Sequence, residues 1–170
     1  MSNVRKYVLT AVTLGCIAMA SGLLIGATNM ITKDRIAGNE ANKINEGFAD
    51  IFGEGATGKE DENFEEGNYT YLKAKYIIQN ATGDEIGSAF RTLGSNSYGK
   101  ISLIIGFTSD NVYKGLSVVT NEQSFATTLE ENYLTPVQNN ERDIEDVKCG
   151  ATYGATLVKN MINEAKDAMK

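Results

Sequence analysis

The chain has no histidine, only two cysteines and a single proline in 170 residues. Without histidine it lacks the commonest metal and haem ligand and the commonest general base. Cys16 lies in an apolar N-terminal stretch and Cys149 far away in a polar one, so a disulfide between them is implausible. Two thiols cannot complete a cysteine-ligated zinc site or iron–sulfur cluster, and no metal site is expected. Nor is there a Ser/His/Asp or Cys/His constellation, so any redox chemistry must come from an organic cofactor. Positive charge is also scarce: 16 Lys and Arg stand against 22 Asp and Glu. The first 32 residues hold two basic side chains, Arg5 and Lys6, and no acidic one, so of the net −6 the remainder carries −8. So acidic a surface repels phosphate backbones, which argues against nucleic acid as a partner.

Charge is absent altogether from Tyr7 to Ile31, 25 residues long. As a helix at about 1.5 Å per residue this run exceeds the roughly 30 Å hydrocarbon core of a bilayer. Gly22 and Gly26 form a small-xxx-small pair of the kind that lets membrane helices approach one another. Ala18-Met19-Ala20 has the look of a signal-peptidase site, but the apolar run continues past it, as an uncleaved anchor does. Cys16 lacks a leucine-like residue at Thr13, which a lipoprotein site requires. Arg5 and Lys6 before the span balance Lys33 and Arg35 after it, with Asp34 counting little. The short tail is expected inside and the domain on the extracytoplasmic side of the cell membrane.

The expected architecture is α+β. Residues 1–6 form a cytoplasmic tail and 7–31 a transmembrane helix. Residues 32–68 form a stalk helix and an acidic loop, and 69–170 a small domain of antiparallel strands closed by a C-terminal helix. Ile36, Ile44, Phe48, Ile51 and Phe52 recur at helical spacing in the stalk. Gly53 to Asn68 is glycine-rich and acidic and reads as a loop. Strands are expected at 69–79, 85–93, 101–108 and 112–120, the first two joined by the turn residues Asn80 to Asp84. Ser124 to Tyr133 reads as helical, with Pro136 ending or interrupting it. Ala151 to Met169 is an amphipathic helix with Leu157, Met161, Ile162 and Ala165 on its apolar face. Asn68-Tyr69-Thr70 and Asn80-Ala81-Thr82 match glycosylation acceptors, triplets that are common by chance.

The most informative stretch runs from Asp146 through Cys149-Gly150-Ala151-Thr152-Tyr153-Gly154 to Thr156. Small residues lead to a threonine at the start of a helix, where free amides and the positive end of the dipole favour a phosphate. Lys148 can add a charge. The tripeptide alone carries little, since Gly-Ala-Thr recurs at 26–28 and 154–156. Taken locally, Thr152 reads first as an N-cap of the last helix, and only second as a flavin site.

Four landmarks in order carry more. They are Ile31-Thr32-Lys33-Asp34-Arg35-Ile36-Ala37-Gly38-Asn39-Glu40 after the apolar run, Ser97-Tyr98-Gly99-Lys100 leading into Ile101 to Phe107, Gly115 to Glu122, and the run ending in Thr152. Together they make the chain resemble, over nearly its whole length, the G subunit of the Rnf ion-translocating electron-transport complex. The likeness to the C subunit of the sodium-translocating NADH:quinone reductase is more distant. The resemblance implies FMN joined through its phosphate to the threonine of a Ser-Gly-Ala-Thr-x-Ser/Thr motif by a flavin transferase. Carried over, that threonine is Thr152, beside Gly150 and Ala151, with Thr156 as the fallback. In this sequence Cys149 takes the serine position and Gly154 the later hydroxyl position. The Glu-Thr-Pro-Gly loop of the family, which lies near the flavin, appears as Glu122-Gln123-Ser124-Phe125. Tyr98 and Tyr153 are candidates to pack on the ring, with Gly99 and Glu122 nearby. The implied partners are other membrane subunits, with electrons passing from ferredoxin to NAD as ions cross the membrane. A stand-alone anchored flavoprotein of extracellular electron transfer and a non-redox accessory subunit are the alternatives.

Overall fold

The structure is a computed structural model that describes the backbone from Ser2 onward and the side chains of residues 7–26 and 38–170. The charges used to orient the chain, Arg5, Lys6, Lys33, Asp34 and Arg35, lie outside the residues so described. So do Thr28, residues 27–31 of the expected span, and Ile31 to Ala37 of the helix exit. The first helix, α1, is assigned over Ser2–Phe52. The chain divides into two units, Met1–Ala41 and Asn42–Lys170.

In the first unit, Tyr7–Gly26 is a 20-residue stretch of mean hydropathy 2.2. Its side chains are exposed, Leu23, Leu24 and Ile25 among the most so. Thr13 Oγ1 donates to the Leu9 carbonyl at 2.8 Å, a back-bond that satisfies the hydroxyl within the helix. This apolar helix fits a single-pass membrane anchor.

The second unit is α+β, as expected. Five strands form one antiparallel sheet in sequence order: β1 (Thr57–Glu60), β2 (Leu72–Gln79), β3 (Glu85–Asn96), β4 (Gly99–Thr108) and β5 (Tyr113–Asn121). Three short helical segments follow: α2 (Ala126–Leu129), a wide π-type turn (Glu130–Leu134) and α3 (Thr135–Gln138). The chain closes with α4 (Thr152–Asp167).

Helices cover both faces of the sheet. On one, Ile101, Leu103, Ile105 and Phe107 of β4 are buried with Leu157, Val158, Met161, Ile162 and Ala165 of α4. On the other, Ile104 is buried with Ile78, Ala89, Val119 and Phe48, the last from the end of α1. A strand covered on both sides needs apolar residues at consecutive positions, and Ile101 to Phe107 supplies them. The apolar stripes expected for α4 and for Ile44, Phe48, Ile51 and Phe52 are those that pack.

Two expectations of local structure are corrected and a third is narrowed. The acidic stretch from Gly53 to Asn68 contains β1, whose polar Thr-Gly-Lys-Glu carries no apolar alternation. It is held by pairing with β2, Thr57 opposite Gln79 and Glu60 opposite Tyr76. The strand expected from Tyr69 begins instead at Leu72, because the amides of Thr70 and Tyr71 both donate to the Glu164 carboxylate of α4, at 2.7 Å each. Of the two outcomes expected at Pro136 the structure has the second: the run does not end there but is broken by the π-type turn, and Pro136 occupies the first turn of α3. Proline has no N–H for the carbonyl four residues back, that of Asn132. Arg142 Nη1 donates to that carbonyl at 2.8 Å instead.

Candidate functional site

Where α4 begins, the loop before it and the turn between β3 and β4 enclose a cleft of about 230 Å³. Its lining includes Gly150, Ala151, Thr152, Tyr153 and Tyr98 from the sequence-derived candidates. Gln123, Phe125, Leu129 and Gly154 complete it.

The approach to the helix is set by Gly150, at φ +83, a left-handed conformation that costs little only for glycine. Ala151 is then the N-cap and Thr152 the first helical residue, so Thr152 is not the cap. Alanine has no side chain with which to cap. The first amide to bond within the helix is that of Ala155, to the Ala151 carbonyl at 3.0 Å. The amides of Thr152, Tyr153 and Gly154 precede that bond, at the positive end of a 16-residue helix. Thr152 is exposed, and its hydroxyl has no hydrogen-bond partner among the described residues. Thr156, one turn on, directs its hydroxyl to the Thr152 carbonyl at 2.8 Å and does not line the cleft.

Gln123 forms the polar part of the lining. It is only 6 % exposed, and its Nε2 donates to the Gly99 carbonyl at 2.6 Å. Gly99 holds φ +133, and a side chain there would collide with the Glu122 carbonyl. Gly99 and Glu122 therefore do not line the cleft; they let the two backbones meet beneath it. The Glu122 side chain points to solvent. Leu129 packs so close to α4 that a Cβ at Gly154 would lie 2.9 Å from Leu129 Cδ2. Gly154 thus has a packing reason for being the smallest residue.

Three aromatic rings form the rim. Tyr98 stacks on Tyr153, with centroids 5.3 Å apart and planes at 26°. Phe125 lies against Tyr98 at 6.0 Å and 53°. Tyr153 is 70 % exposed, Phe125 54 % and Tyr98 38 %. Behind the cleft, Cys149 is a buried free thiol in the core, as a small apolar substitute for serine would be. Arg142 braces the segment leading to it. It donates to the carbonyls of Asp146 and Lys148 at 2.8 and 2.7 Å, and to the Asp146 carboxylate at 3.0 Å. Lys148 is exposed and does not line the cleft.

Sequence reasoning missed Leu129, and weighed Gln123 and Phe125 only as departures from the family loop. Leu129 sits in a short segment whose face is set by the turn that follows, and nothing local marks Gln123 as buried.

An FMN molecule can be compared with these features. Its phosphate suits the first-turn amides of α4 and the exposed Thr152 hydroxyl beside them. Its ring suits an aromatic wall beside a single amide. The cleft falls just below the roughly 300–1,000 Å³ usual for small-molecule sites, so it would enclose part of the molecule and leave part in solvent.

Comparison with known proteins gives one family. Residues 1–51 match the family model described as the RnfG N-terminal region. The matched residues are essentially those of α1; the sheet and the cleft lie beyond them. The match supports a likeness to an RnfG-type subunit over this N-terminal region. No curated protein matches the chain.

Proposed function

With an RnfG-type N-terminal region as the premise, we propose that this chain is a membrane-anchored flavoprotein subunit carrying FMN as a phosphoester on Thr152. It relays electrons within an ion-translocating ferredoxin:NAD oxidoreductase complex. The observation that carries the reading is the exposed Thr152, its hydroxyl without a partner among the described residues, at the start of α4 beside a cleft rimmed by Tyr98, Tyr153 and Phe125.

The residues have distinct tasks in this reading. Thr152 Oγ1 supplies the ester oxygen, giving up its proton as it displaces a nucleoside monophosphate from the pyrophosphate of a flavin dinucleotide that the transferase provides. The amides of Thr152, Tyr153 and Gly154 and the helix dipole offset the charge of the phosphodiester. Gly150 and Ala151 keep the approach to the hydroxyl free of side chains, which a transferase acting on a folded or folding chain needs. Tyr98, Tyr153 and Gln123 hold the ring. Bound FMN supplies the one- and two-electron chemistry for which the chain has no group of its own. The covalent bond prevents loss of the cofactor on the extracytoplasmic side, where the domain is placed in this reading. Other membrane subunits of the complex are the partners, and a flavin transferase is needed for maturation.

The test is to co-express the chain with a flavin transferase, denature it on a gel and read flavin fluorescence beside Thr152→Ala and Thr156→Ala. Emission lost in Thr152→Ala alone is the expected result. Loss in Thr156→Ala alone would move the site one turn along α4. A dark wild-type band, with the transferase active on another substrate, would reject covalent flavin and leave an accessory subunit.

A further inference from the structure

Phe125 is out of place by ordinary rules. It begins α2 at the N-cap position, where a hydrogen-bonding side chain is favoured, and makes no cap. It leaves a large apolar ring more than half in water. Yet the backbone that carries it is firmly tied. The Ser124 amide and hydroxyl both donate to the Tyr98 carbonyl, at 2.7 and 3.0 Å. The Gln123 side chain is fixed to Gly99 on the same turn. The Ala126 amide closes the loop onto the Gln123 carbonyl at 3.0 Å. The result holds Phe125 against Tyr98, itself stacked on Tyr153, although the three residues come from three separate elements.

Resting on the proposed FMN site, we infer that Phe125 is the positioning residue that shields the flavin ring from water. Its backing is Tyr98, which joins it to the ring neighbour of the attachment residue. The cleft alone encloses too little volume for the whole cofactor. A planar conjugated ring lying along this wall gains apolar cover from Phe125 and stacking from the tyrosines. The cost of exposing Phe125 before the cofactor is attached is then recovered once the ring covers it. A surface for another subunit is the competing use of the same patch.

The experiment uses the full chain, flavinylated in the membrane and purified in detergent, as wild type, Phe125→Leu and Phe125→Ser. Fluorescence of the denatured band first gives flavin per chain and tests Thr152 attachment separately. In the native protein, iodide quenching of flavin emission and the fine structure of the visible absorption band report how sheltered the ring is. Phe125→Ser is expected to keep its flavin and raise the iodide quenching constant about twofold or more, with a blurred band. Phe125→Leu, still apolar, is expected to stay near wild type in quenching. A flavin-loaded Phe125→Ser with wild-type quenching and band shape would overturn the inference; so would that result with weakened co-purification of partner subunits, which would assign the patch to docking. Should Phe125→Ser take no flavin, loaded Phe125→Ala carries the same comparison. Dark bands in every variant and in the wild type would instead reject the flavin reading itself.

Discussion

Gln123 Nε2 donates to the carbonyl of Gly99 at 2.6 Å, joining the start of β4 to the loop after β5 beneath the cleft. The side chain is nearly fully buried, so deleting the amide leaves the Gly99 carbonyl without its partner in a place water reaches poorly. Gln123→Leu is expected to cost about 1–3 kcal/mol, the penalty for a buried acceptor left unpaired. Gly99→Ala is expected to cost at least as much, since its φ is +133 and a methyl would meet the Glu122 carbonyl. Urea unfolding of both variants checks this, and a wild-type midpoint for Gln123→Leu would contradict it.

Arg142 supplies the bond that Pro136 cannot. Its guanidinium spans the Asn132, Asp146 and Lys148 carbonyls, which ties the helical run after β5 to the segment preceding Gly150. Arg142→Ala is expected to lose about 1.5–3 kcal/mol, the range for hydrogen bonds to a charged group. Arg142→Lys is expected to recover only part, because an ammonium has no planar fork to reach three carbonyls. Hydrogen exchange should show the amides of residues 146–149 losing protection in both variants. Unchanged exchange in Arg142→Ala would show that the segment is held by other contacts.

The same two elements show how far the sequence could be read. The α4 stripe, the four longer strands and the amphipathic end of α1 were legible because burial on a regular element repeats with its period. β1 was not, because an edge strand of Thr-Gly-Lys-Glu has no such pattern. Its place is fixed at long range by Phe48, whose ring would collide with any side chain at Gly58. Within the cleft, Gly150 to Tyr153 were legible as small residues leading to a threonine at a helix start. Gln123 and Leu129 were not, since what buries them is the return of α4 across the sheet, a contact between residues far apart in the chain. Whether Pro136 ends or interrupts the run stayed open for the same reason: the residue that substitutes for its missing donor is Arg142, beyond the helical run itself.

Tyr113 and Tyr133 set an alkaline limit on stability. Burial pushes both phenols well above the ordinary value of 10.0, and for Tyr133 the nearby Glu145 charge adds to the effect. In the unfolded chain both ionise near 10, while in the fold they stay protonated. Stability is therefore fully present below about pH 10 and falls as pH rises beyond it, because the unfolded state then releases protons that the native state retains. The two residues differ in partner. Tyr133 donates its hydroxyl to the Ile144 carbonyl, whereas the buried Tyr113 hydroxyl has no hydrogen-bond partner among the described residues. Tyr113→Phe is thus expected to be neutral or to stabilise by up to about 1 kcal/mol, and Tyr133→Phe to cost about 0.5–1.5 kcal/mol. Both should flatten the alkaline decline of the urea midpoint. A decline of wild-type steepness in the double variant would place its origin elsewhere.

Gly154 and Leu129 form a coupled pair at the floor of the cleft. A Cβ at Gly154 would approach Leu129 Cδ2 to 2.9 Å and Gln123 Oε1 to 3.4 Å, so the space a hydroxyl-bearing residue would need is already filled. Gly154→Ser alone is expected to destabilise by about 1–3 kcal/mol through overpacking. Leu129→Ala alone is expected to cost about 2–5 kcal/mol by opening a cavity in the fully buried core. Combined, the serine enters the vacated space, and the double variant should be more stable than the sum of the singles by more than about 0.5 kcal/mol. This cycle separates two reasons for glycine at 154. Strict additivity would mean that Leu129 is not the neighbour that holds position 154 to glycine. Measured coupling would mean that Leu129 occupies the space a side chain at 154 needs, so that the floor of the cleft holds the position to glycine.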